Sequence, residues 1–137
     1  MKLEKQVCNL SQSKRLNELL VLGQWKNIDF NFYWIKTQSS NAYFLTGNPG
    51  AYVYPVDHVP TFTVSELCEM LPVDFISFKV SAGNEWCCHK LKDGRGEFDM
   101  FKSQYGKTQA ECCASMVIHL LENNLLSVET CNKSMVA

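Results

Sequence analysis

The sequence predicts an α+β fold, an antiparallel sheet of about five strands with helices packed on one face, in the order α-β-β-α-β-β-β-α. Three observations carry it. Apolar residues recur at helical spacing near both ends of the chain. Period-two alternation with aromatic enrichment marks residues 30–46, and strand-like runs fill residues 75–102. The intervening turn clusters are short and rich in Gly, Asn, Asp and Ser.

The elements follow in order. Residues 9–22 read as a first helix: Asn9 and Gln12 approximate a capping pair, Leu16, Leu19 and Leu20 form its apolar stripe, and Gly23 punctuates its end. Lys14, Arg15 and Glu18 belong to its wet face. Phe30, Phe32 and Trp34 then alternate with Asn31, Tyr33 and Ile35, and residues 42–46 return beyond the turn at 38–41 as the second strand of a hairpin. Asn48-Pro49-Gly50 breaks that strand, and residues 51–60 read as an edge segment or ordered loop, since Pro55 and Pro60 cannot donate to a ladder.

Thr63-x-x-Glu66 is a capping box with Phe62 and Leu67 placed as a hydrophobic staple, and Pro72 ends that short helix. Residues 75–80, 85–91 and 97–102 are expected as three antiparallel strands. Ile76, Phe78, Val80, Trp86, Cys88, Phe98 and Met100 would share the covered face, and Ser77, Lys79, Glu85, His89, Glu97 and Asp99 the wet one. The last helix opens on a second capping box, Thr108-x-x-Glu111, with Glu111 reaching back to the Thr108 N–H. Its apolar stripe is Ala110, Cys113, Ala114, Val117 and Leu121, with Gln109, Ser115 and Glu122 elsewhere on the surface, and Asn123-Asn124 provides the stop. Residues 1–126 thus form one domain and 127–137 a flexible, frayed tail.

Composition bounds the function. The 137 residues are 46% hydrophobic and 20% charged, ordinary values for a globular domain. The formal charge is −1, from 13 basic and 14 acidic residues, and neither half is distinctly basic, so no nucleic-acid footprint is expected. No apolar run approaches the roughly 20 residues that span a bilayer, and residues 1–8 lack the apolar core of a signal peptide. A cytoplasmic location with reduced thiols is therefore expected. The odd count of seven cysteines fits no disulfide framework.

Several segments carry a resemblance: Leu3-Glu4-Lys5-Gln6-Val7-Cys8-x-Leu10 with Lys14-Arg15-Leu16-x-Glu18-Leu19, Phe32-Tyr33-Trp34, the block from Phe62 to Pro72, and Lys107-Thr108-Gln109-Ala110-Glu111 through Leu120-Leu121-Glu122-Asn123-Asn124-Leu125. Together they resemble a family of small uncharacterised proteins of gut Bacteroides-type bacteria and their phages and prophages. The resemblance implies a mobile-element setting, with the host cytoplasm as the place of action. It implies no activity and carries over no site residues. This chain has Cys68 where that family commonly has Gly, and Cys112-Cys113 where a small and a basic residue are common.

Chemistry is sparse at the level of motifs. No Gly-x-Gly-x-x-Gly, phosphate-binding loop, Gly-x-Ser-x-Gly or His-Glu-x-x-His occurs. Cys87-Cys88-His89 and Cys112-Cys113 lack zinc spacing, because adjacent strand residues face opposite ways and adjacent helical residues diverge by about 100°. Cys88 and Cys113 are expected in the core, with Cys87 and Cys112 nearer the surface. Cys87 and His89 share a strand face but sit too far apart for a direct thiol–imidazole pair in most rotamers. Glu97 and Asp99 read as solvating charges, and His119 as a boundary residue. The expectation is no catalytic residue, no metal and no cofactor.

The aromatic residues of 30–54 remain, and Tyr52, Tyr54 and His58 are the expected contact residues, the two tyrosines beside Pro55 in an irregular segment. The leading functional expectation is a non-catalytic accessory protein of a phage or mobile element that binds a host or phage protein; a homodimer through a sheet edge is one form this would take. The alternative is a protein that binds or sequesters a nucleotide-like small molecule.

Overall fold

In the computed structural model the residues described are 2–20, 30–37, 39, 42–47, 55–80, 85–91 and 103–135. A 3-10 turn at Leu3–Lys5 leads into α1 (Leu10–Leu20). Strands β1 (Phe32–Thr37), β2 (Phe44–Thr46) and β3 (Pro55–Thr61) precede α2 (Val64–Met70). Then come β4 (Phe75–Lys79), β5 (Trp86–Lys90), β6 (Gln104–Gly106), α3 (Gln109–Glu122) and α4 (Val128–Met135). No helix among the described residues is long and apolar enough to cross a membrane.

The class is α+β, but the single sheet of about five strands is corrected to two antiparallel three-stranded sheets, ordered β2-β1-β3 and β4-β5-β6. The reason lies in residues 55–61. They form a strand that takes the free side of β1, so the first sheet is complete before α2 begins. Pro60 is tolerated because of its phase in the ladder. It stands opposite Tyr33, and its carbonyl accepts from Asn17 Nδ2 at 3.0 Å, off the outer edge of the sheet. The nitrogen of the same residue points the same way, so the missing N–H removes no bond to β1.

The second sheet has the expected period and a different phase. Ser77 pairs with Cys88 and Lys79 with Trp86, so even-numbered positions of β4 sit opposite odd-numbered positions of β5. Trp86 and Cys88 therefore share a face with Phe75, Ser77 and Lys79, while Ile76 and Phe78 point outward and remain 40% and 43% exposed. This reverses the expected face of β4. The third strand is described at Gln104–Gly106, and residues 97–102, with Phe98, Met100, Glu97 and Asp99, lie outside the described residues.

Helix α3 is the centre of the core. Ala110, Cys113, Ala114, Val117 and Leu121 are buried as expected, joined by Cys112, Met116 and Leu120, because α3 is covered by β4 to β6 on one side and by α1 and α2 on another. Gln109 and Ser115 are not free surface: Gln109 Nε2 donates to Ser77 Oγ and Gln12 Nε2 to Ser115 Oγ, both at 2.8 Å. The helix ends on a Schellman motif. Asn124 adopts φ 57°, its N–H reaches the Leu121 carbonyl at 3.3 Å, and the Leu125 N–H reaches that of Leu120 at 2.8 Å.

Both α1 and α2 start as their caps dictate. Asn9 Oδ1 accepts from the Gln12 N–H at 2.8 Å, and Gln12 Oε1 accepts from the Asn9 N–H at 3.3 Å. Thr63 and Glu66 make the reciprocal capping box. At Thr108 only half of the box forms: its hydroxyl accepts from the Glu111 N–H, while Glu111 Oε2 reaches one residue further back, to the Lys107 N–H at 3.1 Å. Where a frayed tail is expected after Leu126, residues Val128–Met135 are helical as α4, and Cys131 is fully buried.

Candidate functional site

A pocket of about 360 Å³ opens where β5 and β6 meet the start of α3. Its position follows from Gly106, which pairs with Trp86 across the β5–β6 ladder. A Cβ there would come within 2.6 Å of the Cys112 N and 2.7 Å of the Glu111 Cβ, so only glycine lets β6 lie this close to the first turn of α3. That approach brings Thr108 and Gln109 beside the Trp86 indole, with Val64 as further apolar wall.

Around this floor stand Lys5, Lys79 and Lys107. Lys5 ends the 3-10 turn, Lys79 neighbours Trp86 across the β4–β5 ladder, and Lys107 precedes the α3 cap. Among the described residues no ion pair is seen for these three ammonium groups, while Arg15 pairs with Glu18 and Glu122, Lys90 with Asp74 and Lys133 with Glu129. The start of α3 adds the partial positive charge of a helix N-terminus. Glu111 offsets part of that, its carboxylate held by the Asn9 amide at 2.9 Å and the Lys107 N–H at 3.1 Å. The lining thus brings three lysines, a tryptophan, a valine and the polar residues Thr108 and Gln109 to one small volume. It can hold an anion with a planar ring attached.

Cys113, one turn beyond Gln109 on α3, shares the core with Cys112 and with Cys88 of β5. Hydrogen bonding from Cys112 and Cys88, helped by Ser77 and Cys68, outweighs burial and holds the Cys113 thiol well below the usual range. Cys88 and Cys112 are pushed up, first by hydrogen bonding to Cys113 and then by burial. Cys68 is raised by partial burial and then by Cys113. Cys87, Cys88, Cys112 and Cys113 are all buried, which corrects the expectation that Cys87 and Cys112 lie nearer the surface; Cys68 is the exposed member. Among the described residues no group of three or more His, Cys, Asp or Glu is placed to hold a metal ion.

Of the three residues expected as contacts, one lies among the described residues. Tyr52 and Tyr54 lie outside the described residues. His58 is exposed on β3, opposite Ile35 with its ring edge-on to Tyr33 at 6.1 Å, and takes no part in the pocket. His89 Nδ1 is 2.7 Å from Ser103 Oγ. His119 sits in the last turn of α3, its Nδ1 3.3 Å from Asn123 Nδ2.

The pocket residues carry no motif in sequence; Lys79, expected on the wet face, is exposed. The one usable signal was local: a basic residue immediately before a helix cap at Lys107-Thr108. No protein-family model, no curated protein and no solved structure matches this chain.

Proposed function

We propose that the protein binds a small anionic ligand bearing a planar ring, of the nucleotide class, in the pocket over Trp86. One observation carries this: three lysines with no ion-pair partner among the described residues converge on a pocket lined by Trp86 at a helix start. Phosphate oxygens would take the lysine N–H donors while the ring stacks on Trp86. The described lining contains no carboxylate, imidazole or thiol, which favours holding a ligand over transforming it. In the mobile-element setting implied by the resemblance, such binding would sequester a host nucleotide.

Thermal unfolding and titration calorimetry with adenosine and guanosine mono- and diphosphates and inorganic pyrophosphate test the reading. A ligand at a hundred times its dissociation constant should add about 2.7 kcal/mol of stability. Lys79→Glu and Lys107→Glu should each weaken binding at least about tenfold, the loss of one charge-assisted contact. Trp86→Leu should weaken nucleotides and spare pyrophosphate. Absence of any stabilisation by every probe at millimolar concentration would discard it.

A second reading, contact with a protein, rests on the outward face of the second sheet, where Ile76, Phe78 and Tyr105 stay exposed and β4 is an edge strand among the described residues. The partner this reading commits to is a second copy of the chain. Sedimentation of the wild type should show a dimer that Phe78→Lys dissociates, and a wild type that is monomeric at high concentration rejects it.

A further inference from the structure

One lip of the pocket comes from a piece of chain that buries nothing of its own. The 3-10 turn Leu3–Lys5 has no buried residue and closes on itself, the Lys5 N–H reaching the Lys2 carbonyl at 3.0 Å and the Gln6 N–H that of Leu3 at 2.9 Å. Just beyond it the chain is stitched down. Val7 pairs with Thr63 in an antiparallel bridge, the Cys8 N–H donates to the Phe62 carbonyl at 3.1 Å, and the Val64 N–H donates to the Gln6 carbonyl at 3.3 Å. The Cys8 carbonyl accepts from Trp34 Nε1 of β1 and from Thr61 Oγ1 of β3, each at 3.2 Å. Residues 6–8 thus belong with the first sheet, and Lys5 stands immediately before that attachment. The opposite lip is the second sheet and α3, with Lys79, Trp86, Lys107, Thr108 and Gln109.

We propose that a phosphate-bearing ligand acts as a clasp across this seam: Lys5 from one lip and Lys79 and Lys107 from the other grip the same anionic group, so that occupancy fastens residues 3–8 to the second sheet. The inference rests on the binding reading above and adds regulation to it, since the N-terminal turn becomes the element that responds to the ligand. Three ammonium groups gathered around one small volume repel one another when it holds no anion. Lys5 is the one free to retreat, because it is exposed and its turn has no buried side chain to hold it in place, whereas Lys79 is paired into the β4–β5 ladder and Lys107 sits against the α3 cap. An anion between the three turns repulsion into attraction.

Linkage fixes the size of the effect. Opening of the turn withdraws Lys5 from the anion, so the factor by which the ligand suppresses that opening equals the factor by which Lys5 tightens binding. For one charge-assisted contact both should be about tenfold or more. The backbone bonds that join residues 6–8 to residues 62–64 place the response where it can be read, at the amides of Lys5, Gln6, Cys8 and Val64.

Hydrogen exchange of the full chain, followed at these four amides by NMR with and without saturating inorganic pyrophosphate or adenosine or guanosine mono- or diphosphate, tests it. The loaded wild type should exchange there about tenfold more slowly than the free protein. Lys5→Ala, at an exposed position, should keep the melting temperature of the free protein, bind about tenfold more weakly and, once saturated, show no slowing at these amides. Lys79→Ala should also bind more weakly yet keep the slowing at saturation, which separates the clasp from a general loss of positive charge. A wild type that binds a probe with unchanged exchange at all four amides overturns the clasp and leaves the binding reading in place, as does slowing that survives in saturated Lys5→Ala. Failure of every probe to bind overturns the clasp together with the reading beneath it.

Discussion

At the scale of single residues, Gly106 does more for this molecule than its size suggests. It opposes Trp86 in the ladder and lets β6 touch the first turn of α3. Because the obstructing atoms are backbone N and Cβ of the helix, no side chain can swing aside for a methyl group. Gly106→Ala should cost about 1–3 kcal/mol, the usual range for overpacking. The check is a lower urea midpoint with an unchanged denaturant slope. Sequence made the capping residues legible, since Asn9, Thr63 and Thr108 each act within three residues of themselves. It did not reveal that Cys88, Cys112 and Cys113 all enter one core, because that depends on how β5 and α3 pack, and no spacing rule encodes such a convergence.

At the scale of elements, helices were easier to read than strands for a physical reason. A helix declares its buried face by its own period, and α1, α2 and α3 do so. A strand declares alternation but not which phase faces the core; for β4 the register to β5 decided that, and the six-residue connection between them set the parity. The short α4 was missed because its eight residues, VETCNKSM, hold few large apolar side chains. It nevertheless buries Cys131 completely and packs on α2 and α1. Truncation after Leu126 should therefore cost about 1–3 kcal/mol and lower the melting temperature by several degrees. A melting curve that superimposes on that of the full chain would show that α4 adds nothing.

At the scale of the whole molecule, the α+β class was legible and the division into two sheets was not. Choosing β1 rather than another strand as the partner of β3 is a tertiary decision, and the prolines of β3 masked its strand character. The buried thiols also give the molecule a collective alkaline sensitivity. Burial raises Cys131 from its ordinary 9.0 to about 11, and burial, against hydrogen bonds from Ser13 and Thr61, raises Cys8 in the same direction. A group that ionises later folded than unfolded contributes stability that is complete below the unfolded value and fades as pH passes the folded one. The urea midpoint should hold up to about pH 9 and fall towards pH 11. Cys131→Ala, which cannot ionise, should soften that fall; an identical profile for both proteins would refute the assignment.

The tie between α1 and α3 bears on how the polypeptide is made. Asn9 finds Glu111 across 102 positions and Gln12 finds Ser115 across 103, so the opening helix has its permanent neighbours only once the far segment has been translated. At roughly 5–20 residues per second, Leu16 and Leu20 await that cover for about 5–20 seconds on the ribosome. For that interval the nascent chain shows an oily ridge to solvent, and a chaperone that grips apolar helices has its opening there.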